Sequence, residues 1–278
     1  ADTPEQLRAD PVSLAHRYPD PRDAEIAGLL AALMAYGRVT LFRPVVEAVL
    51  TIVEEQGGPR AFAEGFEPAR DGAPLRPLVY RWNRGVDLVL LFSTARQVIA
   101  RHGGLEPLFA GWHPGDGDVS RVLAGAIAAL RAIAVEVAPA CGVPARAFGD
   151  LPRGFRTFLP SPTGGSACKR WNMFLRWMVR PPTEGIDLGL WDSLPPSALV
   201  VPLDTHVLRI ARLVGLTRRR DGSWRTAAEI TANLRLLDPD DPVRFDFALA
   251  HLGISGACKG RRDEAVCPSC PLRPVCVA

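Results

Sequence analysis

Pro160-Ser161-Pro162-Thr163-Gly164-Gly165-Ser166-Ala167-Cys168-Lys169-Arg170 leads without a break into Trp171-Asn172-Met173-Phe174-Leu175-Arg176-Trp177-Met178-Val179-Arg180. The first half is a Pro/Gly turn. The second half carries Trp171, Phe174, Leu175, Met178 and Val179 on one inward stripe and reads as an amphipathic helix. Their junction presents free backbone N–H groups and the positive end of a helix dipole, an arrangement that suits a phosphate. Leu151-Pro152 opens a further short helix, Arg153 to Phe158, so the stretch reads as two helical arms joined by a hairpin. Lys169 is expected one turn inside the second arm, with its amine in reach of whatever the turn holds.

Only Lys169 and Lys259 are lysine among 33 basic residues, so where a positive charge alone sufficed the chain carries arginine. Arginine stays protonated and cannot serve as an amine nucleophile, whereas lysine can. Lys169 is therefore the candidate nucleophile, against the plainer reading of a surface lysine. Asp204 is the second candidate. It follows the extended Val200-Val201-Pro202-Leu203 and precedes Val207, Leu208, Ala211 and Val214, so it is placed both to cap a helix and to bring a carboxylate into the core. Capping alone would account for it. Beside a nucleophilic amine it would form an acid/base couple.

Working outward, helical periodicity recurs and strand periodicity does not. Ile26, Leu29, Leu30, Leu33 and Met34 mark a helix from Asp23, and Thr40 to Glu55 a second. Gly85 to Arg101 is a third, closed by His102-Gly103-Gly104. Asp118 to Val137 shows the clearest stripe, followed downstream by helices at Thr226 to Leu237 and Pro242 to Leu252. Residues 1–23, broken at Pro4, Pro11, Pro19 and Pro21, read as an arm with one short helix from Val12 to Arg17, and Gly57 to Pro77 as loop. The expected fold class is all-α. A chain of 278 residues, 47% hydrophobic, can bury one large core or two compact ones. No apolar run long enough to span a membrane and no leader sequence is evident, so a cytoplasmic protein is expected. The net charge of +3 is unevenly placed: residues 150–225 carry 12 basic against 6 acidic residues, the remainder 21 against 24. A positive excess around Lys169 suits nucleic acid, though a solvated arginine face gives the same count.

Cys258, Cys267, Cys270 and Cys276 are separated by eight, two and five residues in a Gly/Pro-punctuated tail. Four thiols in a run too tight to bury a core of its own point to a metal centre. Spacing leaves zinc and a [4Fe-4S] cluster both open. Cys141 and Cys168 lie outside the set and are expected to be small buried residues.

Leu159-Pro160 through Lys169, then Asn172 and Leu175, then Val201-Pro202-Leu203-Asp204-Thr205-His206-Val207-Leu208-Arg209, together with the last three cysteines, resemble the endonuclease III type of the helix-hairpin-helix (HhH-GPD) DNA glycosylase superfamily. The run Pro162 to Arg180 is similar to an uncharacterised branch of it. The chain carries Thr163-Gly164-Gly165-Ser166 where the family has Gly-x-Gly, and a longer segment, Pro181 to Leu199, between lysine and aspartate.

The resemblance implies two helical lobes with DNA in the cleft between them. Residues 24–180 would form a six-helix-barrel-like lobe ending in the hairpin, and residues 1–23 plus 181–278 a second lobe bearing the cysteine loop at 258–276. It implies a base-excision glycosylase with abasic-lyase activity on an oxidised base, 8-oxoguanine or a pyrimidine. Lys169 would attack the sugar C1′ with Asp204 assisting. Pro162, Thr163, Gly164, Gly165, Ser166, Arg170, Tyr36, Arg38 and Lys259 would meet DNA, with Tyr36 at the helix junction that fills the gap left by an extruded base. It also selects a [4Fe-4S] cluster over zinc for Cys258, Cys267, Cys270 and Cys276. Because flipped bases are held by aromatic stacking and a few polar groups, Trp171, Trp191 and Asp192 are candidates for the base pocket. The expected partner is duplex DNA with a damaged base or abasic site, bound by a monomer. A non-catalytic module for damaged DNA, or an enzyme of the same scaffold acting on modified nucleotides or RNA, are the alternatives.

Overall fold

The computed structural model describes residues 4–113, 119–254, 256, 258 and 260–277 and is helical apart from one small hairpin, so the all-α expectation holds. At its centre is α2 (Pro21–Met34), preceded by α1 (Pro4–Ala9). Asp20 accepts the N–H of Arg22 and Pro21 occupies the first helical position, which starts α2 two residues ahead of the expected Asp23. Every residue from Ala24 to Met34 is buried, Glu25 being the one charged residue among them, so other elements wrap α2 on all sides. One of these is the 3-10 segment Pro11–Arg17, whose Val12, Leu14 and Ala15 have no exposed surface. The N-terminal stretch is therefore core rather than a loose arm: its prolines start helices instead of breaking them.

α3 (Val39–Glu54) packs beside α2, followed by α4 (Pro59–Gly65) and α5 (Pro68–Asp71), two short helices in a stretch expected to be loop. Each again begins on a proline. β1 (Val79–Tyr80) and β2 (Asn83–Arg84) then form an antiparallel hairpin with Val79 opposite Arg84. α6 (Gly85–His102) ends on Gly103 at φ 86°, the expected left-handed cap, whose N–H donates to Ile99 O at 2.8 Å. After α7 (Leu105–Ala110) comes α8 (Val119–Val137), which packs on α6 and buries Val122, Leu123, Ala126 and Ile127 completely. Val119–Cys141 is, by length and composition, apolar enough to cross a membrane, which corrects the expectation that no run is. Its stripe is packed on α6, as in a core helix.

α9 (Arg153–Phe158) and α10 (Lys169–Val179) are the two arms read from the sequence, joined by a 3-10 turn at Pro162–Gly164. α10 packs on α2 at Gly28, where a Cβ would stand 3.0 Å from Met178 Cε. α11 (Thr205–Leu213), α12 (Trp224–Arg235) and α13 (Asp246–Ile254) complete the fold. α11 lies against α13, and Gly253 makes that possible: a Cβ there would stand 2.7 Å from His206 Cβ. Pro242–Phe245 is a separate 3-10 turn before α13, because Pro242 starts a helix that Asp246 restarts.

Candidate active site

Val201 in the extended segment before α11 donates its N–H to Thr231 Oγ1 at 3.0 Å, which ties the approach to α12. Asp204 ends the segment and caps α11: its Oδ1 accepts the N–H groups of His206 and Val207, each at 2.9 Å. Its other oxygen, Oδ2, stands 3.1 Å from Lys169 Nζ. Burial works to raise the carboxyl's pKa, but the Lys169 charge and the backbone N–H of Val207 hold it below the usual carboxylate range. Asp204 is thus ionised at neutral pH, and it is the group placed to take a proton from the amine.

Lys169 is the first residue of α10, not one turn inside it. The shift arises because Cys168 adopts a left-handed conformation at φ 48°, held by a bond from its N–H to Ser166 Oγ at 3.1 Å. A non-glycine residue there costs about 1–2 kcal/mol. The conformation stops the helix short and swings Lys169 to its open end, among the N–H groups that a first helical turn leaves without intrahelical partners. Upstream, Gly165 at φ 78° completes the turn, and its carbonyl accepts from Trp224 N at 3.0 Å. Thr163, Gly164 and Gly165 are exposed while Pro162 is buried, so the hairpin offers its tip to solvent from a fixed base.

Lys169, Asp204 and His206 line two cavities at once. One, about 710 Å³, is bounded by Tyr36, the backbone from Ser166 to Arg170, and Gly222. The other, about 610 Å³, runs along α10 to α13 past Met173, Arg176, Trp177 and Asp246. His206 is held by Nδ1 against Gly253 O at 3.0 Å. Behind the second cavity, Arg176 pairs with Asp246 at 2.5 Å and Asp187 at 3.0 Å, and Arg180 pairs with Asp187 and Asp241. Two guanidiniums thus serve three carboxylates. Burial pushes the Asp246 carboxyl up to about 6 against the pull of Arg176. Nothing in the sequence singled out His206, Trp177 or Asp246: they reach the site through packing between α10, α11 and α13, and Asp246 looks like an ordinary first-turn acid.

The other expected residues fare unequally. Arg38 is exposed at the start of α3 and lines the second cavity. Tyr36 lines the first cavity, but its ring stacks on Trp82 at 5.5 Å, Arg170 lies over it, and its hydroxyl is bonded to Tyr80 O and Asn83. It is a fixed wall rather than a free side chain for insertion. Arg170 donates to Leu33 O and Thr157 O, so its guanidinium ties α9 and α10 to α2 instead of facing a phosphate. Of the three residues expected at a base pocket, none lines either of these two cavities. Trp171 donates to Phe158 O at 2.7 Å and Trp191 to Glu25 Oε1 at 2.8 Å, both from the core, and Asp192 is exposed. The two indoles turn inward to the helix bundle, a choice spacing alone does not reveal. Lys259 lies outside the described residues.

Cys258, Cys267, Cys270 and Cys276 are free, half-buried thiols that line one cavity of about 510 Å³ with Arg261 and Arg262. Among the described residues no three His, Cys, Asp or Glu side chains are drawn together as a preformed metal site. The donor set still fits a thiolate-bound metal: four unpaired sulfurs facing one space, with the Asp263 N–H already donating to Cys267 Sγ at 3.2 Å. Cys141 and Cys168 are buried as expected, and burial pushes the Cys168 thiol up to about 11.

A family model described as "Protein of unknown function (DUF2400)" matches residues 10–255, a span that holds Lys169, Asp204 and Asp246 and stops short of the four cysteines. No curated protein and no solved structure matches the chain.

Proposed function

This chain belongs to the DUF2400 family of proteins of unknown function, and we propose that it is a base-excision DNA glycosylase with abasic-lyase activity. The observation that carries the reading is the 3.1 Å approach of Lys169 Nζ to Asp204 Oδ2 at the junction of two cavities. Beside that pair lies a glycine turn running into a helix N-terminus, which is chemistry for a phosphate next to chemistry for a sugar carbon. The positive excess of residues 150–225 supports a polyanionic partner.

In this reading the hairpin around Gly164 to Ser166 holds the backbone of duplex DNA and the damaged base, oxidised in the leading case, turns out of the stack. Asp204 takes a proton from Lys169, and the neutral amine bonds to C1′ as the glycosidic C1′–N bond breaks and its electron pair leaves with the base. Opening of the sugar ring gives an imine between Nζ and C1′. Removal of a C2′ proton then expels the 3′ phosphate by β-elimination, and water releases Lys169 from the product. Asp204 passes the proton it took on to the departing base and, ionised again, steadies the positive charge of the protonated imine.

Cys258, Cys267, Cys270 and Cys276 are the residues that would hold a [4Fe-4S] cluster, with zinc the other candidate. The group would supply a structural clamp that presents Arg261 and Arg262 to DNA. The two-lobed helix-hairpin-helix arrangement belongs to the same proposal. It is supported by α9, the turn and α10, and by ties from the N-terminal segment to the C-terminal half at His16 to Ile186 O and Asp10 to His251.

Borohydride trapping on duplex DNA containing an abasic site tests the reading without a guess about the base. A covalent adduct with the wild type that is lost in Lys169→Gln is the expected result. DNA that binds but gives no adduct overturns the lyase and leaves a recognition module. Activity confined to free modified nucleotides or RNA would move the substrate off DNA.

A further inference from the structure

Past His206, α11 and the loop that follows it bring Arg209, Arg212, Arg218 and Arg220 around one cavity of about 430 Å³, which Gly260 closes from the side of the cysteine loop. α11 supplies the first two, three and six residues beyond His206. In the loop, alternate residues part. Thr217 is buried and donates to Glu229 at 2.7 Å, and Arg219 turns to Thr226 Oγ1 at 3.0 Å and to Asp221 at 3.5 Å. Arg218 and Arg220 are exposed and face the cavity.

Among the described residues the guanidiniums of Arg212, Arg218 and Arg220 have no hydrogen bond and no ion pair. Exposed arginines elsewhere in the chain sit on carboxylates, as Arg17 does on Glu54, Arg22 on Asp20 and Arg101 on Glu136. Here the local acids are already engaged, Glu229 by Thr217 and Asp221 by Thr226 and Arg219. Like charges gathered round one space repel one another, and an arriving anion relieves that repulsion. Guanidinium groups present paired N–H donors that match the oxygens of a phosphate.

The lining contains no aromatic ring to hold a base, and the arginines are strung along a path rather than gathered into a cup. At one end, Gly222 lines the 710 Å³ cavity beside Lys169, and the next residues tie the loop to the hairpin through Ser223 with Ser166 and the Trp224 N–H with Gly165 O at 3.0 Å. At the other end, Gly260 lies on Arg209, where a Cβ would stand 3.3 Å from Cδ, and leads to Arg261 and Arg262. From His206 to Arg212 is about 9 Å of helix, close to three nucleotides at about 3.4 Å each along a strand.

We propose that this cavity grips backbone phosphates of a DNA strand about three nucleotides from the one that Lys169 faces, through Arg212, Arg218 and Arg220. The proposal rests on the base-excision reading for the strand that enters the site, and it adds a second grip, separate from the hairpin, that fixes the direction in which the strand leaves.

The test is fluorescence anisotropy of the full chain on a duplex with a stable abasic analogue at its centre, across a series of NaCl concentrations. Arg212→Gln/Arg218→Gln/Arg220→Gln is compared with Arg70→Gln/Arg96→Gln/Arg101→Gln, which removes the same charge from α5 and α6. The first variant should bind about tenfold or more weakly at about 0.1 M salt and flatten the slope of log K against log salt by about 2–3, near 0.9 for each lost contact. The second should stay within about twofold of wild type. Each single variant should take about 0.9 from the slope, so the reading does not depend on the triple change folding. Trimming the duplex to two nucleotides on one side of the analogue should weaken the wild type and leave the first variant unchanged. Equal losses in the two triple variants, an unchanged slope, or a wild type that binds no duplex overturns the grip. So does saturable binding of inorganic phosphate or a nucleoside monophosphate that needs the three arginines when duplex binding does not. Borohydride trapping separates the two readings: an adduct with duplex binding indifferent to these arginines removes only this site, and arginine-dependent binding without an adduct removes only the lyase.

Discussion

Asp204 divides its carboxylate between two duties: Oδ1 takes the first N–H groups of its own helix, from His206 and Val207 at 2.9 Å, and Oδ2 faces Lys169 Nζ at 3.1 Å. The cap fixes the rotamer, and the rotamer aims the free oxygen. The two duties can be separated. Asn caps a helix about as well as Asp, so Asp204→Asn should alter stability by no more than about 1 kcal/mol while base release in a single turnover falls by about 10²–10⁴-fold. Asp204→Ala loses the cap as well, for roughly 1 kcal/mol more in denaturant melts. Equal activity in wild type and Asp204→Asn would remove the carboxylate from the chemistry.

Asp204 and Asp246 drive stability in opposite directions with pH. Asp204 is held below the ordinary 3.8, so its contribution is present above that pH and is lost as pH falls through its lower folded value. Asp246 is pushed from 3.8 up to about 6, so its contribution is full below 3.8 and is lost as pH rises through about 6. Urea melts across the acid range should show Asp246→Asn free of a decline that the wild type undergoes between about pH 4 and 6. Asp204→Asn should run parallel to the wild type over that window and converge toward it only below about pH 4.

Gly253 allows α11 and α13 to meet at His206. Gly253→Ala puts a methyl 2.7 Å from His206 Cβ and 3.1 Å from His206 O, and the second contact is backbone and does not yield by rotation. The substitution should destabilise the chain by about 1–3 kcal/mol despite alanine's better helix propensity. Thermal unfolding reads the loss, and a rise in Tm would show that the two helices separate freely.

Anaerobically purified protein should be brown and carry about four irons per chain, a stoichiometry that Cys267→Ala abolishes. Since the cysteines follow α13 and only two three-residue 3-10 turns lie among them, far-ultraviolet helicity should persist in that variant while affinity for duplex DNA drops. One equivalent of zinc and no visible absorbance would assign the site to zinc.

Much of the scaffold was legible because it rests on local rules. Gly103 marked the end of α6, the stripe from Val119 to Val137 marked α8, and the proline-glycine turn between α9 and α10 stood out from its flanking periodicity. Asp204 was readable as a cap from its neighbours alone. Missed elements broke those rules in a specific way. Pro11 was read as a breaker and the stretch holding Pro59 and Pro68 as loop, yet each of the three opens a short helix, since proline lacks an N–H that the first turn does not use. Lys169 fell at the helix start rather than a turn inside it because Cys168 takes a conformation that its residue type does not announce.

The sequence by itself determined the helical class, the hairpin arms, and the pairing in type of one unusual lysine with one capping aspartate, because each follows from periodicity, turn chemistry or composition within a few residues. Which side chains face the lysine was decided only by tertiary structure. Arg176 and Asp246 meet across 70 residues, Trp191 turns to Glu25 across 166, and Trp177 is left without a partner by everything packed around it. Whether a buried polar group is satisfied depends on all its neighbours at once, and no local pattern carries that information.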